Sequence, residues 1–261
     1  MRKPFLFNLF LRILILIIGI AILFPFLWMF ISSLKIHTDS IWWLHFHVVF
    51  TEHNFARYFV NSIIVSFSAV MLSLIIGLPA AYSIVRFRQK RLLILILAAW
   101  LIPGISFLMP WRMVFASFNV LYTHSALIFS HLFITLPVVV WIMAAYFKTI
   151  PIELEDSARV DGATRQRAFV SIILPLSMPG VITAAALGFI FSWNNFMFAQ
   201  VLGTEKTRTL PVALYNFTLS AAPDWSQVIS AAVLMVTPAI LLAVLFRKYL
   251  IKGLTVGAVK G

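Results

Sequence analysis

The sequence has no cysteine and very little charge. Asp and Glu together number 8 among 261 residues, and charged residues make up 11%, under half of the roughly 25% usual in soluble domains. Without cysteine there is no disulfide framework, no thiolate metal site and no cysteine nucleophile. With so few charges and 62% hydrophobic residues, a soluble domain could not cover its surface with polar groups. That excludes a cytosolic enzyme, a secreted disulfide scaffold and a disordered chain. A G-x4-G-K-[ST] phosphate loop is missing too, so ATP hydrolysis is not expected of this chain. There is no internal repeat and no low-complexity segment. Histidines do not make up for the missing cysteines: His45, His47 and His53 lie near Glu52, but their spacing fits no standard zinc pattern. They read as interfacial residues beside Trp42 and Trp43, and His131 as a hydrogen-bonded core residue.

What the sequence does have is long apolar runs. Stretches free of Asp, Glu, Lys and Arg cover 13–34, 58–85, 92–111, 113–147, 168–204 and 225–246. A spanning helix needs about 20 apolar residues, so each run is long enough. Arg112, beside Pro110 and Trp111, marks the interfacial end of the third helix. The expected helices are 12–33, 58–85, 92–116, 124–147, 179–201 and 226–246. Pro25, Pro79, Pro103, Pro137 and Pro238 fall within or beside them and would kink them. The segment 209–223, with two prolines and many polar residues, reads as loop. The fold class is therefore all-α and integral to the membrane: one transmembrane domain over 1–261, with six spans and both termini on one side. The basic residues choose that side. Fifteen of the 20 Lys and Arg fall in the N-terminal arm, the loops after the second and fourth helices, and the tail. Positive residues mark the cytoplasmic face, so the +12 charge orients the chain and does not point to nucleic acid. The outside loops are then 35–57 and 202–225, the inside loop is 148–178, and the tail is 247–261. The basic, apolar N-terminus is too long for a signal-peptide core and lacks a small-x-small cleavage site, so it reads as a retained first helix.

Half of the acids lie within nine positions, Glu153, Glu155, Asp156 and Asp161, in the inside loop. Pro151 suits a helix start, and acids suit the positive end of the helix dipole. Gly162 suits the residue after a helix, where the backbone turns left-handed. Leu154, Ala158 and Val160 give this short helix a small apolar face. A second short helix over 163–173 is expected to stop at Pro175. An acidic cluster by itself would read as a solvated loop. The order of residues says more. Gly162, nine residues, then Ile172-Ile173-Leu174-Pro175 resembles the EAA loop of ABC-importer membrane subunits. Pro151, Glu153, Leu154, Arg159, Asp161, Ala163, Phe169, Leu176 and Pro179 also resemble that pattern. Asp156-Ser157-Ala158 stands where the family has Glu-Ala-Ala, keeping charge and small size. The tail from Tyr249 through Gly253 and Gly257 to Gly261 is similar to that of MalG-like carbohydrate permeases, as are Asn61-Ser62 and Trp193-Asn194-Asn195-Phe196. Asn195 replaces an acid found in that branch.

The resemblance implies a type I importer permease core in a bacterial or archaeal inner membrane, crossed several times and in contact with lipid. Its implied partners are a second homologous permease, an ATPase dimer that carries ATP and Mg, and an extracytoplasmic solute-binding protein. No cofactor is expected in this chain. The implied ATPase-coupling residues are Glu153, Leu154, Glu155, Asp156, Ser157, Ala158, Asp161, Gly162, Ala163 and Pro175. Ser192, Trp193, Asn194, Asn195, Phe196 and Gln200 offer hydrogen bonds and flat apolar surface to a sugar pathway, or else bond between helices. Glu205, Lys206, Arg208 and Asp224 lie in the long loop expected to reach the binding protein, or else in a passive connector. The alternative is an ion-gradient-driven secondary transporter. It would usually carry ionisable groups inside its spans, and here those are almost lacking. An integral-membrane enzyme would need acids, histidines or nucleophiles together near one interface, and the clustered acids have no nearby histidine.

Overall fold

The computed structural model describes residues 5–34, 43–51, 54–219 and 223–255. The loop residues 35–42, Glu52 and His53, and the tail residues 256–261, lie outside the described residues. Among the described residues every regular element is helical. In chain order they are α1 (Phe5–Leu34), α2 (Trp43–Thr51), α3 (Phe55–Arg86), α4 (Lys90–Leu101), α5 (Leu108–Ser117), α6 (His124–Phe147) and α7 (Glu153–Val160). Then follow α8 (Arg165–Ala168), α9 (Leu174–Leu176), α10 (Met178–Trp193), α11 (Met197–Leu202), α12 (Leu210–Thr218), α13 (Trp225–Leu245) and α14 (Arg247–Thr255). Four helices are long and apolar enough to cross a membrane: Leu9–Ser33 within α1, α3, α6 and α13. Two bent helix pairs raise the number of spans to as many as six, Lys90–Leu101 with Gly104–Ser117 at 88° and Arg165–Leu176 with Met178–Trp193 at 76°.

Where the sequence predicts one helix over 92–116, the chain breaks. Ile102 is extended (φ −68°, ψ 126°), because the ring of Pro103 disfavours the helical conformation of the residue before it. A short 3-10 turn, Gly104–Phe107, leads into α5. The helix expected over 179–201 is also interrupted. It ends at Trp193, and α11 restarts at Met197. Asparagine side chains compete for nearby backbone groups, and both do so here: Asn194 Nδ2 donates to the Ile190 carbonyl at 2.9 Å, and Asn195 Oδ1 accepts from the Phe198 N–H at 3.1 Å. The segment read as loop over 209–223 contains α12. Pro211 is its second residue, where the missing N–H would have no intrahelical partner. Pro175 does not stop a helix either. The chain forms a π turn over Phe169–Ile173 and carries Pro175 in the first turn of α9.

The chain divides into two compact units, 1–56 with 214–236 and 57–213 with 237–261. In the first, α1 is apolar throughout its spanning window and none of that window is buried. Asp224 caps α13, its Oδ1 accepting from Ser226 N–H at 2.9 Å. The second unit is built on α6 and α10. Val139, Met143 and Phe147 of α6 pack with Ala184 of α10, Ala81 and Ile84 of α3 and Ile173. A second cluster joins Val65, Phe115, Leu127, Phe198, Leu202 and Val212. Small residues let helix backbones approach where no hydrophobic force separates helix from lipid. Gly180 is such a residue: a Cβ there would lie 2.6 Å from Tyr146 Cγ. Gly180→Val is therefore expected to cost about 1–3 kcal/mol by overpacking, read as a lowered thermal midpoint of the purified protein. An unchanged midpoint would show that the Tyr146 ring moves aside freely. Polar bonds cross the unit's interior as well. Ser73 and Thr135 hydroxyls lie 2.5 Å apart, and Thr183 Oγ1 lies 2.8 Å from the Tyr249 carbonyl of α14.

Candidate functional site

The acidic loop folds as α7, a turn and α8. Glu153, Glu155 and Asp156 fall in the first turn of α7, where the helix dipole favours them. Gly162 has φ +85°. Its N–H bonds to the Arg159 carbonyl at 3.1 Å, and the Ala163 N–H bonds to the Ala158 carbonyl at 2.9 Å. Those two bonds make a Schellman motif, which satisfies the last carbonyls of the helix and requires a left-handed residue at the turn. Thr164 then caps α8 by accepting from the Arg167 N–H at 3.2 Å.

The two faces of α7 are not those the sequence predicts. Ala158 turns inward, but Leu154 and Val160 do not: they are 41% and 87% exposed. The other inward residue is Glu155, 4% exposed. Its Oε2 lies 2.9 Å from Arg86 Nε at the end of α3, an ion pair without well-aligned hydrogen-bond geometry. The same guanidinium donates long bonds of 3.4 and 3.5 Å to the Ile150 carbonyl and lies 5.9 Å from the Tyr82 ring centroid. Tyr82 packs on Phe147 and Phe169, at 6.0 and 4.7 Å between centroids. The outward face of α7 thus carries Glu153, Asp156, Leu154 and Val160, with Ser157 and then Asp161 and Gly162 beyond; Ala163 is half-buried. Asp156 pairs with Arg159 at 3.6 Å, an exposed pair worth about 0–1 kcal/mol.

The other end of α3 is tied as firmly, to the segment between α11 and α12. Asn61 Nδ2 donates to the carbonyls of Lys206 at 3.0 Å and Arg208 at 2.9 Å. Its Oδ1 lies 2.9 Å from His124 Nε2, at the start of α6. Ser62 Oγ accepts from the Leu210 N–H at 2.8 Å. The Tyr58 hydroxyl donates to Glu205, and Glu205 pairs with Arg208 at 2.7 Å. Lys206 and Glu205 are exposed, while Arg208 is half-buried and lies 5.8 Å from the Tyr58 ring. Glu205, Lys206 and Arg208 are thus tied to the start of α3, whereas Asp224 caps α13.

Most of the six residues named for a pathway are tied into the protein. Ser192 Oγ lies 2.7 Å from Nδ1 of the buried His131. Trp193 is buried against Phe59 and Phe189, at 5.7 and 5.4 Å. Asn195 caps α11, and Phe196 is half-buried. Asn194 and Gln200 are exposed on either side of the break between α10 and α11. Sequence reasoning missed Arg86, Tyr82, Tyr58 and His124. It noted Asn61 and Ser62 only as resemblances. Arg86 did carry one signal: it is the cation that closes a long apolar run.

The sequence matches the binding-protein-dependent transport system inner membrane component family over residues 73–256. It is 34% identical over 277 residues to the trehalose/maltose transport system permease protein MalG of Thermococcus litoralis, covering 100% of both chains. It is 33% identical over 261 residues to the trehalose transport system permease protein SugB of Mycobacterium tuberculosis, covering 94% of this chain and 95% of the other. The fold is similar to that of a chain in the crystal structure of a bacterial ABC transporter involved in alginate import, with TM-score 0.76 and 21% identity over 95% of this chain and 99% of that one. The chain belongs to the binding-protein-dependent transport system inner membrane components, as a multi-pass permease subunit of an ABC importer.

Proposed function

We propose that this subunit serves import of a sugar or sugar-like solute, and that α7 couples it to an ATPase dimer that binds ATP and Mg. A second homologous permease completes the membrane path, and an extracytoplasmic binding protein delivers the solute. The termini and α7 face the cytoplasm; the Tyr58 end of α3 and the segment 203–210 face outside. The relatives named for trehalose and maltose support the sugar class. The observation that carries the coupling role is the outward face of α7, with exposed Leu154 and Val160 set among Glu153, Asp156 and Asp161. Apolar side chains rimmed by charge on a short ordered element mark a protein-docking surface. The ATPase is then a surface with an apolar slot and basic groups. Asp156, which pairs with Arg159 on the exposed face, is free to exchange that partner for one on the ATPase.

Vesicles containing this chain, a second permease and the ATPase test the reading. Uptake of labelled trehalose or maltose is expected to need both ATP and the binding protein. Uptake by this chain alone, driven by an ion gradient, would overturn it. Asp156→Lys is expected to lower transport about tenfold or more, within the usual range of coupling between sites, while the chain still inserts. Wild-type uptake in that variant would remove α7 from the coupling.

A further inference from the structure

We infer that α3 is the rod that links the two partner-facing segments, and that Arg86 and Asn61 are the positioning residues at its two joints. The inference rests on the reading above, in which α7 meets the ATPase and the segment 203–210 faces the binding protein. Three observations carry it. First, α3 is one helix of 32 residues, continuous through Pro79, where the sequence predicts a kink; it is about 48 Å long at 1.5 Å per residue, more than the hydrocarbon core of about 30 Å. Secondly, it is fastened at both ends by buried polar groups. Arg86 holds Glu155 and the Ile150 carbonyl at one end. At the other, Asn61 holds two carbonyls of the segment 203–210 and Ser62 holds the Leu210 N–H. Asn61 and Ser62 are 4% and 2% exposed. At the outer joint the side chains are short and enclosed, and losing a bond leaves a buried polar group unsatisfied; at the inner joint the charge pair of Arg86 and Glu155 holds the contact.

Thirdly, the route along the chain from α7 to that segment is jointed. It passes Ser177, where α9 and α10 meet in a sharp bend. It then crosses the break between Trp193 and Met197. A displacement of α7 is absorbed at those two points, whereas α3 is one continuous helix from Asn61 to Arg86 and carries it between its joints. Midway, α3 is braced against α6. Ser73 meets Thr135 at 2.5 Å, and a Cβ on Gly77 would lie 2.8 Å from Val139 Cγ1. The brace gives the rod a fulcrum. Coupling of this kind is reciprocal: docking outside biases α7 as much as ATPase closure inside biases the outer segment.

The experiment uses the assembled complex in vesicles, with ATP hydrolysis measured with and without the sugar-loaded binding protein. Arg86→Lys keeps the charge but loses the planar fork. Asn61→Ala loses both carbonyl bonds and keeps the helix. Each is expected to cut the stimulation by the binding protein at least about fivefold, the lower end of usual site-to-site coupling. Co-purification of partners and hydrolysis without binding protein stay at wild-type levels. Because the joints act in series, the double variant is expected to be no worse than the worse single one. Wild-type stimulation in either variant, or losses that multiply in the double, overturns the rod. If either variant fails to assemble, Arg86→Met paired with Glu155→Met, which leaves no unpaired charge, or Ser62→Ala takes its place and is read in the same way. If the wild-type complex itself is not stimulated by the binding protein, the importer reading falls first and the rod with it.

Discussion

Replacing Gly162 with proline is expected to stop solute uptake while leaving the chain in the membrane. Gly162 sits at φ +85°, and a proline ring fixes φ near −65°. Proline also removes the N–H that bonds to the Arg159 carbonyl. The Schellman motif that ends α7 cannot form, so the helix loses its fixed angle to α8. A graded series separates this from simple crowding, because a Cβ at Gly162 meets nothing within 4 Å. Gly162→Ala then carries only the backbone cost of a left-handed residue, about 1–2 kcal/mol. Partial uptake in the alanine variant and none in the proline variant is the expected order. It is checked by transport and ATP hydrolysis in the same vesicles. Full transport in the proline variant would mean that the angle between α7 and α8 is irrelevant.

The second large effect is on stability. Arg86→Met leaves the buried Glu155 without its counter-charge. Breaking a buried pair by removing one partner costs about 3–5 kcal/mol. By the scaling for chains of this size, that is a fall of roughly 10 °C in the thermal midpoint. Replacing both, as Arg86→Met with Glu155→Met, is expected to recover most of the loss, since an apolar pair of similar volume needs no desolvation of charge. Circular dichroism melts of the purified chain in detergent measure both. A single variant that melts with the wild type would show that water already reaches Glu155.

How much of this could be read in the sequence differs from feature to feature, for physical reasons. The runs that make α3, α6 and α13 were legible because lipid demands about 20 apolar residues in a row. The breaks at Ile102–Pro103 and Asn194–Asn195 were not, because they lie inside runs whose composition does not change. Pro103 did disfavour helix in the residue before it, but a proline in a spanning helix reads equally as a kink. Gly162 was legible because only the motif at a helix end asks for that backbone. Glu155 is named with its neighbours for the ATPase surface on the strength of the resemblance, and its burial is not legible in that pattern. Its partner lies on another helix, and a distant ion pair leaves no periodicity to find. The outer joint failed in the same way: Asn61 looks like any polar residue at a helix start, and its meaning lies in two backbone carbonyls whose identity carries no side-chain signal.

The bend between α4 and α5 has a consequence for the bilayer. The bent halves are Lys90–Leu101 and Gly104–Ser117, about 18 and 21 Å at helical rise. At 88° to each other, only one of them can stand along the membrane normal. Neither half matches the hydrocarbon thickness of about 30 Å. Were the pair to cross as one span, its height would follow from the hinge angle and not from a residue count. Lipids with shorter or longer acyl chains are then expected to load the Pro103 hinge, and uptake measured in vesicles of different chain length would read that response.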